Sequence, residues 1–311
     1  MSVPAVKQGV SLIGGTCGTF DLIVADSRNQ PLPPPTFLKQ PDVDEPATVT
    51  WTRIYTDLVL YPFAWLRVVE RLADGFPLHG YVMPADRISI LDGRVMFDGD
   101  PVPARDVIRF DSPIAPGVLY DGARIIRTAV LVERAVLRYA DLDIPAGYLK
   151  QTSGPELLPD EIDELLAAWE QARQKRTTAY LSQGLDYANP AFDPARLQLV
   201  EARAANAVDV ARLLNIPPAY LNAETGGSLT YATTESQARQ LVNTTLLPYL
   251  KAVTGRLTMG DVTPRGQVIR PDMSVLMTAD ESTRAATAAT WLGAGVLTVD
   301  EIRAREGMPP R

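Results

Sequence analysis

Residues 213–236 read LLNIPPAYLNAETGGSLTYATTES: a helix end, a proline pair, the run Gly226-Gly227-Ser228, then a threonine-rich start to another helix. Pro217 and Pro218 lack a backbone N–H, and each disfavours helical geometry in the residue before it, so the preceding helix must stop there. A glycine-centred loop between two helices is a ligand cradle, a hinge, or a segment that touches a moving partner. The flanking sequence has to decide which.

Downstream, residues 233–257 (TTESQARQLVNTTLLPYLKAVTGRL) place Leu241, Val242, Leu246, Tyr249, Leu250, Val253 and Leu257 on one helical stripe, and Pro248 should kink it. QVIRPDMSVLM (267–277) reads as a strand. Residues 279–310 read as a helix, a stop at Gly293 and Gly295, and a second helix. Thr298 and Glu301 form the capping box of that second helix, and Gly307 with Pro309-Pro310 end it.

Upstream, VEARAANAVDVARLLN (200–215) lines Val200, Ala204, Ala207, Ala211 and Leu214 on one helical face, with Glu201, Asp209 and Arg212 opposite. Alanines let another backbone come close, so this helix should pack beside residues 119–143 of its own chain or of a second copy. An ordinary core helix fits the same pattern. In residues 119–143, Ile125, Ile126, Ala129, Val130, Val132, Ala135, Val136 and Leu137 cover more than one face, which calls for neighbours on several sides. A turn at 144–147 leads to LLPDEIDELLAAWEQARQKR (157–176). Pro159 suits its first turn, Asp160, Glu161, Asp163 and Glu164 suit the positive end of the helix dipole, and Arg173, Lys175 and Arg176 suit the negative end. Ile162, Leu165, Leu166 and Trp169 should form its buried stripe.

Residues 1–117 read as mixed α and β with many turns. The proline-rich stretch 30–46 should be a surface strap without helix, and Gly14-Gly15-Thr16-Cys17-Gly18 a turn. Residues 52–72 should pass from helix to strand around Pro62, and RISILDGRVMF (87–97) should be a hairpin about Asp92-Gly93.

Composition excludes several functions. With one cysteine, Cys17, and one histidine, His79, the chain has no basis for a Cys/His metal site or a disulfide framework. The lysines are 7, 39, 150, 175 and 251, and none follows a glycine, so the Walker A core is missing; Thr230 stands where a nucleophile elbow around Ser228 needs glycine. No cofactor is implied and no catalytic constellation assembles. A formal charge of -7 over 311 residues lacks the basic footprint of a tight nucleic-acid binder. The helix-turn-helix outline of 279–310 keeps a DNA-binding or assembly-interaction protein as the alternative reading, although Asp300, Glu301 and Glu306 would face phosphates. The first ten residues lack a signal-peptide pattern and no stretch is long and apolar enough to span a bilayer, so synthesis in a reducing cytoplasm is expected, with no membrane partner.

The order LLNIPPAYLNAETGGSLTYATTES, TLLPYL, WLGAGVLTVDEIRAREGMPP, preceded by GVLYDGARIIRTAVLVERAVLRYADLDIPAGYLKQ (117–151), resembles the portal proteins of tailed bacteriophages, specifically the HK97-like family. The N-terminal part departs from the pattern, with Tyr61-Pro62-Phe63-Ala64-Trp65 where the family often has a Gly-Asn-Ala-aromatic run. The resemblance implies a non-enzymatic α+β subunit of a homo-oligomeric ring, typically a dodecamer, at one vertex of the virion capsid. Double-stranded DNA would slide through the ring, and the terminase large subunit, the major capsid protein and a head-tail adaptor protein would contact it. It further implies a wing (1–117 and 233–278), stem helices (118–143 and 200–216), a clip (144–199), a tunnel loop (217–232) and a crown (279–311). On this carry-over Gly226, Gly227, Ser228, Leu229, Thr230 and Tyr231 face DNA. Ile125, Ile126, Ala129, Val130, Val136, Ala204, Ala207 and Ala211 pack between subunits, and Trp169, Arg173 and Arg176 meet a partner at the clip.

Overall fold

The computed structural model describes residues 3–141, 148–155, 157–174, 184–188, 199–222, 237–273 and 281–305. Its first helix, α1 (Pro4–Gly18), opens with proline in the first turn, where no N–H is required. Two short strands follow, β1 (Leu22–Asp26) and β2 (Pro31–Leu32), then α2 (Thr36–Lys39) and α3 (Ala47–Leu60). Residues 14–18 are therefore helix, not the turn expected. Their glycines serve close packing: a Cβ on Gly18 would lie 2.7 Å from the Cα and N of Thr52, and one on Gly14 would lie 2.5 Å from Thr56 Oγ1. Both threonines are on α3, which packs along α1 nearly backbone to backbone.

The strap expected at 30–46 also needs correction. Pro33, Pro34 and Pro35 end where α2 begins, and the next four residues are free of proline. Burial of Phe37 and Leu38 pins that single turn, and Trp51 Nε1 donates to Leu38 O at 3.3 Å.

The helix-to-strand passage at Pro62 is borne out by β3 (Phe63–Arg71), which lies between β4 (Pro77–Met83) and a later strand, both antiparallel to it. The hairpin is also borne out. β5 (Ile88–Leu91) and β6 (Arg94–Phe97) pair with Leu91 opposite Arg94, and Asp92 and Gly93 have φ of 49° and 74°, the left-handed pair a tight two-residue turn demands. β7 (Asp100–Pro101) adds to β6, and β8 (Val107–Asp111) completes the sheet on β3.

Next come α4 (Val118–Asp121), α5 (Ala123–Asp141), β9 (Tyr148–Gln151), α6 (Pro159–Gln174), β10 (Leu185–Ala188) and α7 (Leu199–Leu213). Pro248 leaves Thr244 C=O without its usual helical donor. The chain answers with a π-turn over Leu241–Leu246 ahead of α8 (Leu247–Leu257), and Asn215 Nδ2 donates to Thr244 O at 3.1 Å. The stripe expected here is buried at Leu241, Leu246, Tyr249, Leu250, Val253 and Leu257. β11 (Gln267–Pro271) then returns to pair with β1, so the sheet β11-β1-β2 ties this late segment to the start of the chain. α9 (Glu281–Gly293) and α10 (Val299–Arg305) follow, and the capping box is present: Thr298 N donates to Glu301 Oε2 at 2.7 Å and Glu301 N to Thr298 Oγ1 at 3.3 Å.

The class is α+β. The main core joins α1, α3, β3, β8, the C-terminal half of α7, and α8; a satellite of Trp65, Met83 and Val102 lies beside the β5–β7 sheet. Two glycine substitutions separate packing from propensity. Gly18→Ala drives a methyl into the Thr52 backbone and should destabilise by about 1–3 kcal/mol. Gly255→Ala, with nothing within 4 Å of the added Cβ in α8, should stabilise by about 0.5–1 kcal/mol. Denaturant titration of the purified subunit measures both.

Candidate functional site

α5 and α7 form an antiparallel pair, and the sequence explains how closely they meet. Gly122 separates α4 from α5; a Cβ there would lie 2.6 Å from Val118 O and would strike the Leu213 side chain. Ala129 of α5 is buried, and so are Val210 and Ala211 of α7. α7 thus packs beside α5, but only the C-terminal part of the expected alanine face, at Ala211 and Leu214, is buried. At the other end of the pair, Arg203 Nε meets Glu133 Oε1 at 2.7 Å. α7 also packs on α1, where Gly9 makes room for Leu214, and it ends at Asn215, whose φ of 54° is left-handed. Thr245 Oγ1 donates to the carbonyl of Asn215, so the helix end is tied to the π-turn by bonds in both directions.

The structure distributes the eight stem residues unevenly. Ala129 and Ala211 are spent inside the protomer and have no surface left to offer. Ile125, Ile126, Val130, Val136 and Ala207 are half-buried, and Ala204 is exposed. Val200, expected on the packing face, is 83% exposed. The inner face of α7 is rotated toward Val210 because α1 and α5 share it. α5 keeps apolar side chains in the open at Leu131 and Leu137. Within one protomer, then, it lacks the neighbours on several sides that its apolar girth calls for.

α6 departs further from expectation. Leu165 and Trp169 are half-buried, but Ile162 is 41% and Leu166 51% exposed. Among the described residues the stripe predicted to be buried is half open, with Trp169 packing on Tyr187 of the thin β9–β10 pair at 5.1 Å between ring centroids. Arg173 sits in the last turn of α6. Arg176 and the loop residues Gly226, Gly227, Ser228, Leu229, Thr230 and Tyr231 lie outside the described residues.

Sequence reading missed three contributors. Gly9 and Gly122 could have been suspected as glycines in helical runs. The Glu133–Arg203 pair, far apart in the chain, left no local signal. α1 also supplies a wall that was not foreseen: Val3, Val6 and Val10 with Leu60, Ile126 and Val130 line an apolar groove of about 560 Å³ between α1, α3 and α5.

The groups that burial perturbs fall in two places, Tyr55 and Tyr249 around Cys17 in the core and Tyr61 near Asp57 at the end of α3. Burial pushes the Cys17 thiol up to about 12, leaving it protonated at neutral pH, and raises Tyr249 to about 12. Asp57, lifted to about 6 by burial against the opposing hydrogen bond from Ala85 N, stands apart at the end of α3. His79 Nδ1 is buried without a hydrogen-bond partner among the described residues. No metal-binding cluster and no helix long and apolar enough to cross a membrane occurs among the described residues.

Two paired antiparallel helices rooted in an α+β body, with a small strand-helix module between them in the chain, are the architecture of the portal fold. The chain belongs to the phage portal protein family, whose model matches residues 4–307. The fold is similar to the crystal structure of an HK97 family phage portal protein from Corynebacterium diphtheriae, at 23% identity and a TM-score of 0.71 over 89% of this chain and 95% of that one. It is also similar to chains in the neck of a gene transfer agent particle. The empty particle, computed with C6 symmetry, gives 20% identity and a TM-score of 0.66; the native one, computed with C12 symmetry, gives 19% and 0.64. Both cover 99% of this chain and 91% of theirs. A sequence search of curated proteins finds no match. The HK97-like resemblance drawn from the ordered motifs is thereby borne out.

The uneven burial of the alanines separates folding from assembly. Ala211→Leu, at a fully buried site, should lower subunit stability by about 1–3 kcal/mol. Ala204→Leu should leave it within about 0.5 kcal/mol. Thermal unfolding of the two variants checks the contrast.

Proposed function

We propose that this chain is the portal subunit of a tailed phage or phage-like particle. On this reading twelve copies close into a ring at one capsid vertex, and DNA enters and leaves through the bore. One observation carries the reading most: α5, in a chain of the portal family, keeps the apolar side chains of Leu131 and Leu137 exposed. A heterologous contact repeated around a closed ring buries such surface on every copy. The C12 symmetry of one structurally similar particle neck supports the number twelve.

In that ring, residues 1–117 and 233–278 form the wing, 118–143 and 200–216 the stem, 144–199 the clip, 217–232 the tunnel loop and 279–311 the crown. The terminase large subunit docks first and drives packaging; a head-tail adaptor replaces it, with Trp169, Arg173 and Arg176 at the clip as contacts, and the major capsid protein surrounds the ring. The role is passive and non-catalytic, in keeping with the chain's lack of a phosphate-binding loop. The net charge of -7 suits a conduit, since each phosphate neutralised by a cation would release counterions and brake the moving polymer. Gly226, Gly227 and Ser228 supply backbone freedom while Leu229, Thr230 and Tyr231 brush the DNA.

Mass photometry and particle imaging of the purified chain should show annuli with an open bore; subunit-sized particles or a solid assembly under all conditions overturn the ring. Deleting Thr225 to Leu229 should leave annuli intact and lower DNA packaging or retention, and wild-type packaging by that variant removes the loop's role.

A further inference from the structure

The groove between α1, α3 and α5 is mostly apolar, lined by Val3, Val6, Val10, Leu60, Ile126 and Val130 with the hydroxyls of Ser11, Thr52 and Thr56 among them. Lys7 also lines it, and beyond the lining Val130 continues along α5 to Arg134 at i+4. Arg127 flanks the same stripe at i−3 from Val130. Lys7, Arg127 and Arg134 are exposed, and none makes an ion pair among the described residues. The outward face of α7 carries two carboxylates, Glu201 and Asp209, and one cation, Arg212, which is paired with Asp209. Glu201, Ala204, Ala205 and Val208 follow one another at helical spacing; the first three are exposed and Val208 is half-buried. Glu201 has no ion-pair partner among the described residues. Asp209, one turn from Ala205, lies 3.0 Å from Arg212 of its own helix, a surface pair that leaves its carboxylate open to a second cation.

The two faces also agree in height. α5 and α7 run antiparallel, with their register fixed by Arg203 on Glu133 at one end and Leu213 against Gly122 at the other. That register sets Glu201 beside the level of Arg134, and Asp209 level with Arg127. Copies related by rotation about an axis running along these helices keep those levels. In such an arrangement each acidic residue of one copy would lie level with an arginine of the next.

We infer that the groove is the seat of a second copy of this chain: the outward Ala204–Ala205 face of α7 of one subunit lies in the α1–α3–α5 groove of its neighbour, with Glu201 toward Arg134 and Asp209 toward Arg127. This rests on the ring reading above and gives it specific faces. The two alanines permit close approach to the valine-rich floor, Val208 adds apolar area to the same contact, and the arginine–carboxylate pairs fix register and handedness. The two faces differ, so the contact is head-to-tail and closes as a ring instead of stopping at a dimer.

Charge reversal tests the pairing. Wild-type chain forms annuli; Arg127→Glu with Arg134→Glu should leave subunit-sized particles of unchanged circular dichroism, and adding both Glu201→Lys and Asp209→Lys to the same chain should restore annuli. A second measurement reads the geometry directly. Val130→Cys together with Ala205→Cys should give a ladder of covalent oligomers on oxidation, while either cysteine alone should not; Cys17 is buried and stays in place. Normal annuli from the arginine variant and no ladder from the cysteine pair overturn the docking and leave the ring reading standing. Normal annuli with lost DNA retention assign the arginines to DNA and also overturn it. A wild-type chain that forms no annulus overturns both.

Discussion

The structure depends on how closely α1 can approach its neighbours. Gly14 and Gly18 admit α3 on one side and Gly9 admits Leu214 of α7 on another, so three helices far apart in sequence share one small volume. Interiors are packed at crystal-like density, and one methyl group at such a crossing cannot be absorbed locally. The first fifteen helical residues therefore act as a wedge that sets the angle at which α7, and through it α5, leaves the body of the protein. A helix placed by side chains alone would tolerate more drift.

Backbone accounting reinforces that placement. Pro248 removes a donor, and the freed Thr244 carbonyl is met by Asn215 at the end of α7, while Thr245 returns a hydrogen bond to the Asn215 carbonyl. Exposed backbone can turn to water, but a specific partner fixes direction as well. Proline is thus more than a kink here: it opens a π-turn whose unpaired group becomes the anchor for another helix.

Much of this could be read from the residues. The hairpin at Asp92-Gly93, the break at Pro62, the capping box at Thr298 and Glu301 and the stripe of α8 follow local rules in which a few adjacent residues decide the geometry. The misreadings share one cause. Gly14 to Gly18 looked like a turn because glycine is permissive, yet its use was decided by Thr52 and Thr56, some forty residues away. Phe37 and Leu38 were assigned to a strap because three prolines precede them, while their burial under Trp51 was invisible locally. β1 is short and its partner β11 lies at the far end of the chain, so no periodicity marked it. The apolar content of α5 and the alanines of α7 were legible, but the division of those alanines between the protomer's own seam and its outer surface was not. That division is set by α1, which occupies a flank no helical pattern could reveal.

The distribution of the core bears on assembly. Large, fully buried side chains such as Tyr55, Phe110, Ile54, Leu58 and Leu250 all belong to the body formed by α1, α3, the β3 sheet and α8. α5 beyond Ala129, and α6 with its half-open stripe, bury little that would hold them as independent units. Helical stability in proteins comes mainly from packing of an apolar face, so elements placed this way sit at the low end of local stability in a lone subunit. Any contact that covers them in an assembly stabilises the assembled state by mass action, coupling the order of these helices to subunit concentration. The free energy that any such covering contact contributes is therefore gained at the surfaces of α5 and α6, not in the body, whose core is already complete within one copy.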